Sequence, residues 1–478
     1  MNRKLYKLSL LGFAVVLLVV VSQLQRQLNR QRATPELGLM RVTELGSNAP
    51  PVLAFTTVAL GGFRGLIANS LWIRANDLQQ DGKYFEMVQL ADWITKLEPT
   101  FTQVWLVLGW NMAYNISVKF SDRADRWRWV QRGIELLRDD GLRYNPKDAL
   151  IYRELAWFFQ HKMGANMDDA HLFYKSEWAK EMTVVLGSGR PNFEELIPPQ
   201  TATAKERVRL LREKYKMDPE RMQEVDKLYG PLEWRLPEAH AIYWAFVGLK
   251  ESKKKDLITL RRVIYQSMQL MVMRGRLLSV EPLRFGPDLS KVQQASDAYE
   301  EMIRDDVEMR DAIKRAHRNF LKEVAYLLYT NNRVSEANRW FKKLKEAYPD
   351  AVPPNLALDE YSLERLTGNL AGAGHDKIKA IIEGLIVQHY YNLVLDEDDR
   401  ALGLDLMARK LWNHYDQSMG GQARLKLAPL GEMKQTIRAQ LLDPKEGLPP
   451  ESIARLRTKL NLPAPTTPPD GTPTATKQ

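Results

Sequence analysis

A helix-pair signature that recurs along the chain limits the available folds most. Gly82-Lys83-Tyr84 leads into a run carrying Ala91, Leu97 and Pro99, and Trp105 with Leu108-Gly109 opens the next run. Far downstream, Leu321, Val324-Ala325 and Leu328 are followed by Asn332, Ala337, Phe341, Leu344 and Pro349. Each unit reads as two helices, a tight turn between them and a proline that ends the second. A single unit of this size cannot bury its own apolar face, so neighbours must stack. No strand set is expected anywhere, and the chain is predicted to be all-α.

Between these landmarks the pattern predicts helices over 65–80 and 84–97, 103–115 and 123–143, and 149–163 and 168–186. Pro99 and Pro146 lie 47 residues apart, and the loop 116–122 and a longer second helix are expected to take up the excess over a compact repeat. A Gly/Pro-rich connection, 187–200, is followed by short charged helices at 203–216 and 218–229. The second opens with Asp218-Pro219-Glu220, a side-chain cap before a proline at the first helical position. Apolar faces over 236–250 and 256–276 predict another pair. One long helix from about Lys291 is expected to lead into the unit Arg318–Pro349, with further helices at 356–367, 376–391, 400–417, 433–442 and 451–460. The organisation is therefore 1–32 basic segment and anchor, 33–51 linker, 52–186 first repeats, 187–235 connection, 236–460 second repeats and cap. Residues 461–478 hold five prolines and no apolar periodicity, the mark of a disordered tail.

The helix-pair spacings resemble those of the tetratricopeptide repeat family, closely over 318–349, well over 68–146 and loosely over 149–186. The resemblance implies a right-handed superhelical solenoid of helix pairs whose concave groove binds another protein. In that family the first helix of each pair lines the groove, which nominates Asn69, Trp72, Asn76, Gln103, Trp110, Tyr114, Arg153, Trp157, His161, Lys322, Tyr326 and Tyr329. Trp and Tyr concentrate binding energy at interfaces, although large aromatics also pack solenoid cores. Domains of this family that clamp a C-terminal carboxylate carry Lys, Asn and Arg at set groove positions. Asn76 fits, but Trp72, Val107, Leu150 and Glu154 occupy the others, so that subtype is not expected.

Leu8–Val21 is free of charge and preceded by Arg3, Lys4 and Lys7. Read over residues 5–24 it reaches the ~20 residues that cross a bilayer core. A retained transmembrane helix is expected ahead of a cleaved signal, in a single-pass protein of the bacterial inner membrane with its body outside the cytoplasm. Arg26, Arg30 and Arg32 on the other flank leave the positive-inside rule nearly balanced. The apolar stretch 52–63 is short for a span and is expected to be buried, with contact to lipid as the alternative. Net charge is +10, and six basic residues precede the first acid, Glu36, leaving +4 on the rest. Basic residues that flank an apolar run point to a membrane, and no nucleic-acid partner is expected.

The chain has no cysteine, which excludes disulfides and thiolate chemistry. Val184–Gly189 resembles the start of a dinucleotide loop, but Asn192 stands at the third glycine position. Gly368, Gly372 and Gly374 lack a following Lys-Ser/Thr pair. The histidines form no HExxH motif, and Asp396–Asp399 places Arg400 where a calcium loop needs oxygen. No cofactor, metal or catalytic residue is expected. The reading is a non-enzymatic, membrane-tethered scaffold for a protein partner. Its alternatives are a helical-toroid enzyme acting on envelope glycans through two carboxylates and a peripheral membrane-associated structural protein.

Overall fold

The computed structural model describes residues 3–32, 64–165, 167–252, 257–368, 374–418 and 426–463. The expected linker 33–51, the apolar stretch 52–63 and the tail beyond 463 lie outside the described residues. So do Gly372 and its neighbours, 369–373. The chain forms two compact units, residues 1–298 and 299–478. The described residues are helical throughout, apart from one small hairpin of strands.

The N-terminal helix α1, Arg3–Arg32, is unbroken. From Phe13 to Val21 its large apolar side chains are 48–63% exposed, as are Leu24 and Leu28. An apolar helix open all round needs lipid or protein to cover it. Among the described residues no helix is long and apolar enough to cross a membrane. The expected span starts at Leu5, and the side chains of residues 5–11 lie outside the described set.

In the first unit α2 (Arg64–Gln80) and α3 (Tyr84–Leu97) pack as a hairpin. Gly82 makes the turn at φ 74°, and the Lys83 N–H returns to the Leu78 carbonyl at 2.8 Å. This closure needs a left-handed residue just past the helix, which glycine supplies without strain. Ala68, Ala75 and Ala91 let the helices approach, and Met87, Ile94, Leu97 and Val104 fill the core they share with the next helix. That helix, α4 (Thr102–Trp110), continues as a π-helical stretch, Asn111–Ile116, and a 3-10 turn, Ser117–Lys119. The loop to α5 (Arg123–Glu135) therefore spans only residues 120–122, and the long period comes mostly from helix. The Asp122 carboxylate caps α5 by accepting the N–H groups of Ala124 and Asp125, each at 2.9 Å. Helix α5 also turns π-helical, over Leu136–Gly141, and ends in the helical turn Leu142–Tyr144.

Helix α6 (Ala149–Trp157) runs on as a third π-helical stretch, Phe158–Gly164, before α7 (His171–Leu186). A short helix α8 (Phe193–Leu196), missed in the sequence, lies inside the expected connection and precedes α9 (Ala202–Glu213) and α10 (Pro219–Tyr229). Helices α11 (Pro237–Glu251) and α12 (Leu257–Arg274) pair tightly, and α11 also lies along α6. Strands β1 (Arg276–Ser279) and β2 (Arg284–Gly286) then form an antiparallel hairpin, which corrects the expectation of no strand set. Strands of four and three residues are too short for their periodicity to be read.

Helix α13 (Val292–Asp305) leads from one unit to the next. The long helix expected there breaks. Asp306 accepts the N–H of Met309 at 3.0 Å, and a new helix, α14 (Arg310–Thr330), starts immediately after. In the second unit α14 pairs with α15 (Val334–Ala347), and α16 (Leu358–Thr367) follows. Helix α17 (His375–Val394) pairs with α18 (Asp398–Ser418), and α19 (Leu430–Leu441) and α20 (Pro450–Lys459) complete the unit. Both hairpin turns repeat the closure of α2 and α3. Asn332 and Asp396 take the left-handed position at φ 59°, and the N–H groups of Arg333 and Glu397 return to Leu328 and Asn392, each at 2.9 Å.

Candidate functional site

Helices α4 and α6 lie side by side and run in the same direction. At their starts Thr102 donates to Asp148 at 2.6 Å, and toward their ends the Tyr114 hydroxyl and His161 Nδ1 are hydrogen-bonded at 3.1 Å. Their entries are fastened alike: the Trp105 indole donates to the Pro99 carbonyl at 2.8 Å and the Tyr152 hydroxyl to the Pro146 carbonyl at 3.0 Å. In α11 the imidazole of His240 meets the Trp234 carbonyl, also six residues back, at 2.8 Å. A ring at the fourth position of the helix thus pins the preceding loop in all three.

This parallel alignment assembles four of the nominated residues into a ladder of rings. Trp110 stacks on Tyr114 at 5.5 Å, and Trp157 stacks on His161 at 4.6 Å. Tyr114 and His161 join the two stacks at 5.9 Å. Trp110 is 40% exposed, and the other three are half-buried. Arg153 stands one turn before Trp157 and pairs with Glu154 at 3.0 Å. Ring spacings of this size give each pair ~0.5–1.5 kcal/mol beyond its burial, so the ladder is held rigid before anything binds.

Beneath the ladder lies a buried ionic cluster that the sequence reading did not nominate. Asp168 accepts Arg126 at 2.5 Å, the Ala170 N–H at 2.8 Å and the Tyr174 hydroxyl at 3.3 Å, and it is paired with Lys162. Lys162 is 2% exposed, donates to Ser117 at 3.2 Å and lies 4.9 Å from the centre of the Tyr114 ring. Arg126 reaches Asp169 as well, at 2.8 Å. The cluster thereby ties α5 and α6 to the turn before α7 and supports the ring above it.

Burial sets the electrostatics of the site. It lowers the Lys162 ammonium pKa, against the opposing pull of Asp168. Burial and then the Lys162 charge lower that of His161, so the imidazole is neutral near pH 7 and can accept from Tyr114. The Glu154 carboxyl is raised by burial, with Arg153 opposing, and the Tyr114 hydroxyl is raised by burial and then by the Glu154 charge. Glu154 and Asp168 are the buried carboxylates here, and both are already engaged by cations.

The other nominated residues lie elsewhere. Asn69 and Gln103 are exposed, and Asn76 is half-buried. Trp72 packs on the first core and meets Phe101 edge-on at 5.8 Å. In the second unit Lys322 and Tyr326 are half-buried, with the Arg365 guanidinium 5.3 Å from the Tyr326 ring centre. Tyr329 is fully buried and its hydroxyl donates to Asp359 at 2.5 Å, which makes it a core residue. Among the described residues no cluster of three or more His, Cys, Asp or Glu could hold a metal ion. Compared with protein-family models, characterised proteins and solved structures, the chain matches none.

Proposed function

We propose that this chain is a membrane-tethered scaffold of tetratricopeptide-like helix pairs, and that the Trp110–Tyr114–His161–Trp157 ladder holds an extended segment or helix of a protein partner. The ladder is the observation that carries this reading. Four ring residues from two neighbouring helices form one half-exposed surface, and Trp and Tyr are the types that dominate interface energetics. The rigid support from Lys162 and Asp168 reduces the ordering penalty on binding. The paired hairpins and their common turn support stacking into a solenoid. The apolar run of residues 5–24, with the exposed apolar face of α1, supports a single-pass anchor.

The enzyme reading lacks comparable support, since Arg153 engages Glu154, and Arg126 and Lys162 engage Asp168. Capture from a membrane extract tests the scaffold reading, with the full chain as bait and a Trp110→Ala/Trp157→Ala variant as control. Loss of specific proteins by a variant with unchanged helix content is expected. Retention of the same proteins by the variant would overturn the assignment.

A further inference from the structure

The ladder is built from a repeat. Trp110 and Trp157 are 47 residues apart, as are Tyr114 and His161, the entry rings Trp105 and Tyr152, and the prolines Pro99 and Pro146 that those rings fasten. Trp110 and Trp157 therefore hold equivalent places on two helices that pack side by side. Packed helices lie about 8–10 Å apart, so the surface offers one aromatic subsite per helix at that interval. Tyr114 and His161 close its inner end at 5.9 Å, and Val118, 52% exposed, prolongs the apolar line one turn beyond Tyr114.

An extended ligand fits two such subsites when its rings recur at the same interval. A polyproline II segment advances about 3.1 Å per residue with three residues per turn, so positions i and i+3 share a face about 9 Å apart. The chain itself carries a segment of this kind. Pro463, Pro465, Pro468, Pro469 and Pro473 follow the last helix, and Pro465-Thr466-Thr467-Pro468 has the three-residue spacing. Proline rings hold φ near about −65°, which lowers the ordering penalty of docking on aromatic rings. Charge agrees as well. No charged residue stands between Lys459 and Asp470, and the ladder is uncharged, with His161 neutral near pH 7 and Arg153 paired to Glu154. The exposed Gln103 amide at the start of α4 can donate to the carbonyls that a polyproline II segment leaves unbonded. The Arg457 guanidinium holds the Pro463 carbonyl at 2.8 Å. Extended from there, the segment reaches about 30 Å by Pro473, enough to meet a neighbouring molecule.

We propose that the ladder binds the proline-rich segment 463–473 of a second copy of this chain, with Pro465 and Pro468 seated on the two tryptophans. This names the ladder's partner and rests on the partner-binding reading of that site. Each copy carries one ladder and one segment, so the contact is head-to-tail and joins copies into rings or rows. Copies tethered in one membrane meet at high effective concentration, so a weak contact suffices.

Sedimentation equilibrium of the full chain in neutral detergent micelles provides the test. The wild type should associate beyond a dimer as its concentration rises. Trp110→Ala/Trp157→Ala and Pro465→Ala/Pro468→Ala, each with unchanged helix content, should each weaken association about 10-fold or more. An equal mixture of the two variants should recover association and stop at a dimer, because one copy supplies the segment and the other the ladder. A wild type that does not associate, or a mixture that does not recover, would overturn the proposal. Loss with the tryptophan pair but not with the proline pair would overturn it and give the ladder to another segment. Association untouched by either pair would overturn it equally. The partner-binding reading itself falls only if capture from membrane extract also survives the tryptophan pair.

Discussion

Asp168→Asn tests the support beneath the ladder. The native cluster holds two buried cations, Arg126 and Lys162, against buried Asp168 and exposed Asp169. Neutralising Asp168 leaves Lys162 with the Ser117 hydroxyl and the face of Tyr114, and Arg126 with Asp169 alone. An uncompensated buried charge of this kind destabilises by about 3–5 kcal/mol. Lys162→Met leaves Arg126 and Asp168 matched and should cost only about 1 kcal/mol. The double variant removes one charge of each sign and should be milder than Asp168→Asn alone, a coupling that a double-mutant cycle measures. Ten of the twelve tryptophans lie before residue 299, so indole fluorescence in guanidinium chloride reports mainly on the first unit. With m of about 4 kcal/mol/M, the Asp168→Asn midpoint should fall by about 1 M. Equal losses for the two single variants, or strictly additive effects in the double, would refute the charge-matching argument.

Acid should destabilise each unit through a deeply buried histidine, with His161 adding to the effect in the first. His240 in the first unit and His317 in the second are held down to about 4 by burial, against 6.5 in the unfolded chain. The unfolded state thus takes up a proton that the native state refuses, and stability falls as pH drops from 6.5 toward 4. At pH 5 each contributes about 2 kcal/mol of destabilisation. His240→Gln and His317→Gln should flatten the pH dependence of unfolding in their own unit, followed by circular dichroism. A variant that keeps the wild-type slope would contradict this. A Cβ on Gly133 would sit 2.9 Å from the Gly109 carbonyl and 3.3 Å from Phe158. Gly133→Ala should therefore lower stability by about 1–3 kcal/mol through overpacking, and an unchanged thermal midpoint would show that α4 and α5 can move apart. Asn332→Val should lose about 1–2 kcal/mol because a β-branched residue resists φ 59°, whereas Asn332→Gly should be nearly neutral in the same melt.

The hairpins were legible because their apolar periodicity and punctuation agree. Tyr84–Leu97 was placed to the residue, and most other boundaries fell within three. Gly82 marks its turn by residue type, whereas Asp396 stands out in the sequence only as the start of an acidic run and yet supplies the left-handed turn residue. Asp306 broke a helix whose apolar face continues across it, because one side-chain bond to Met309 can restart the backbone where periodicity sees no gap. The ladder was half legible. Repeat alignment chose Trp110, Tyr114, Trp157 and His161 together, and it chose Trp72 and Tyr329 by the same rule although both serve packing. Lys162 and Asp168 stayed hidden because their partners, Arg126 and Ser117, lie more than 40 residues away. A lysine on an otherwise apolar helix face, five residues after Trp157, was the available signal.

Site-specific photocrosslinking in the native membrane addresses the partner-binding claim most directly. A benzophenone side chain would replace Trp110, Trp157 or, as a control, Val184, which is 75% exposed on α7 of the same unit. The account predicts that positions 110 and 157 capture one and the same protein and that position 184 does not. Equal capture at 184, or none at 110 and 157 from a folded chain, would contradict it.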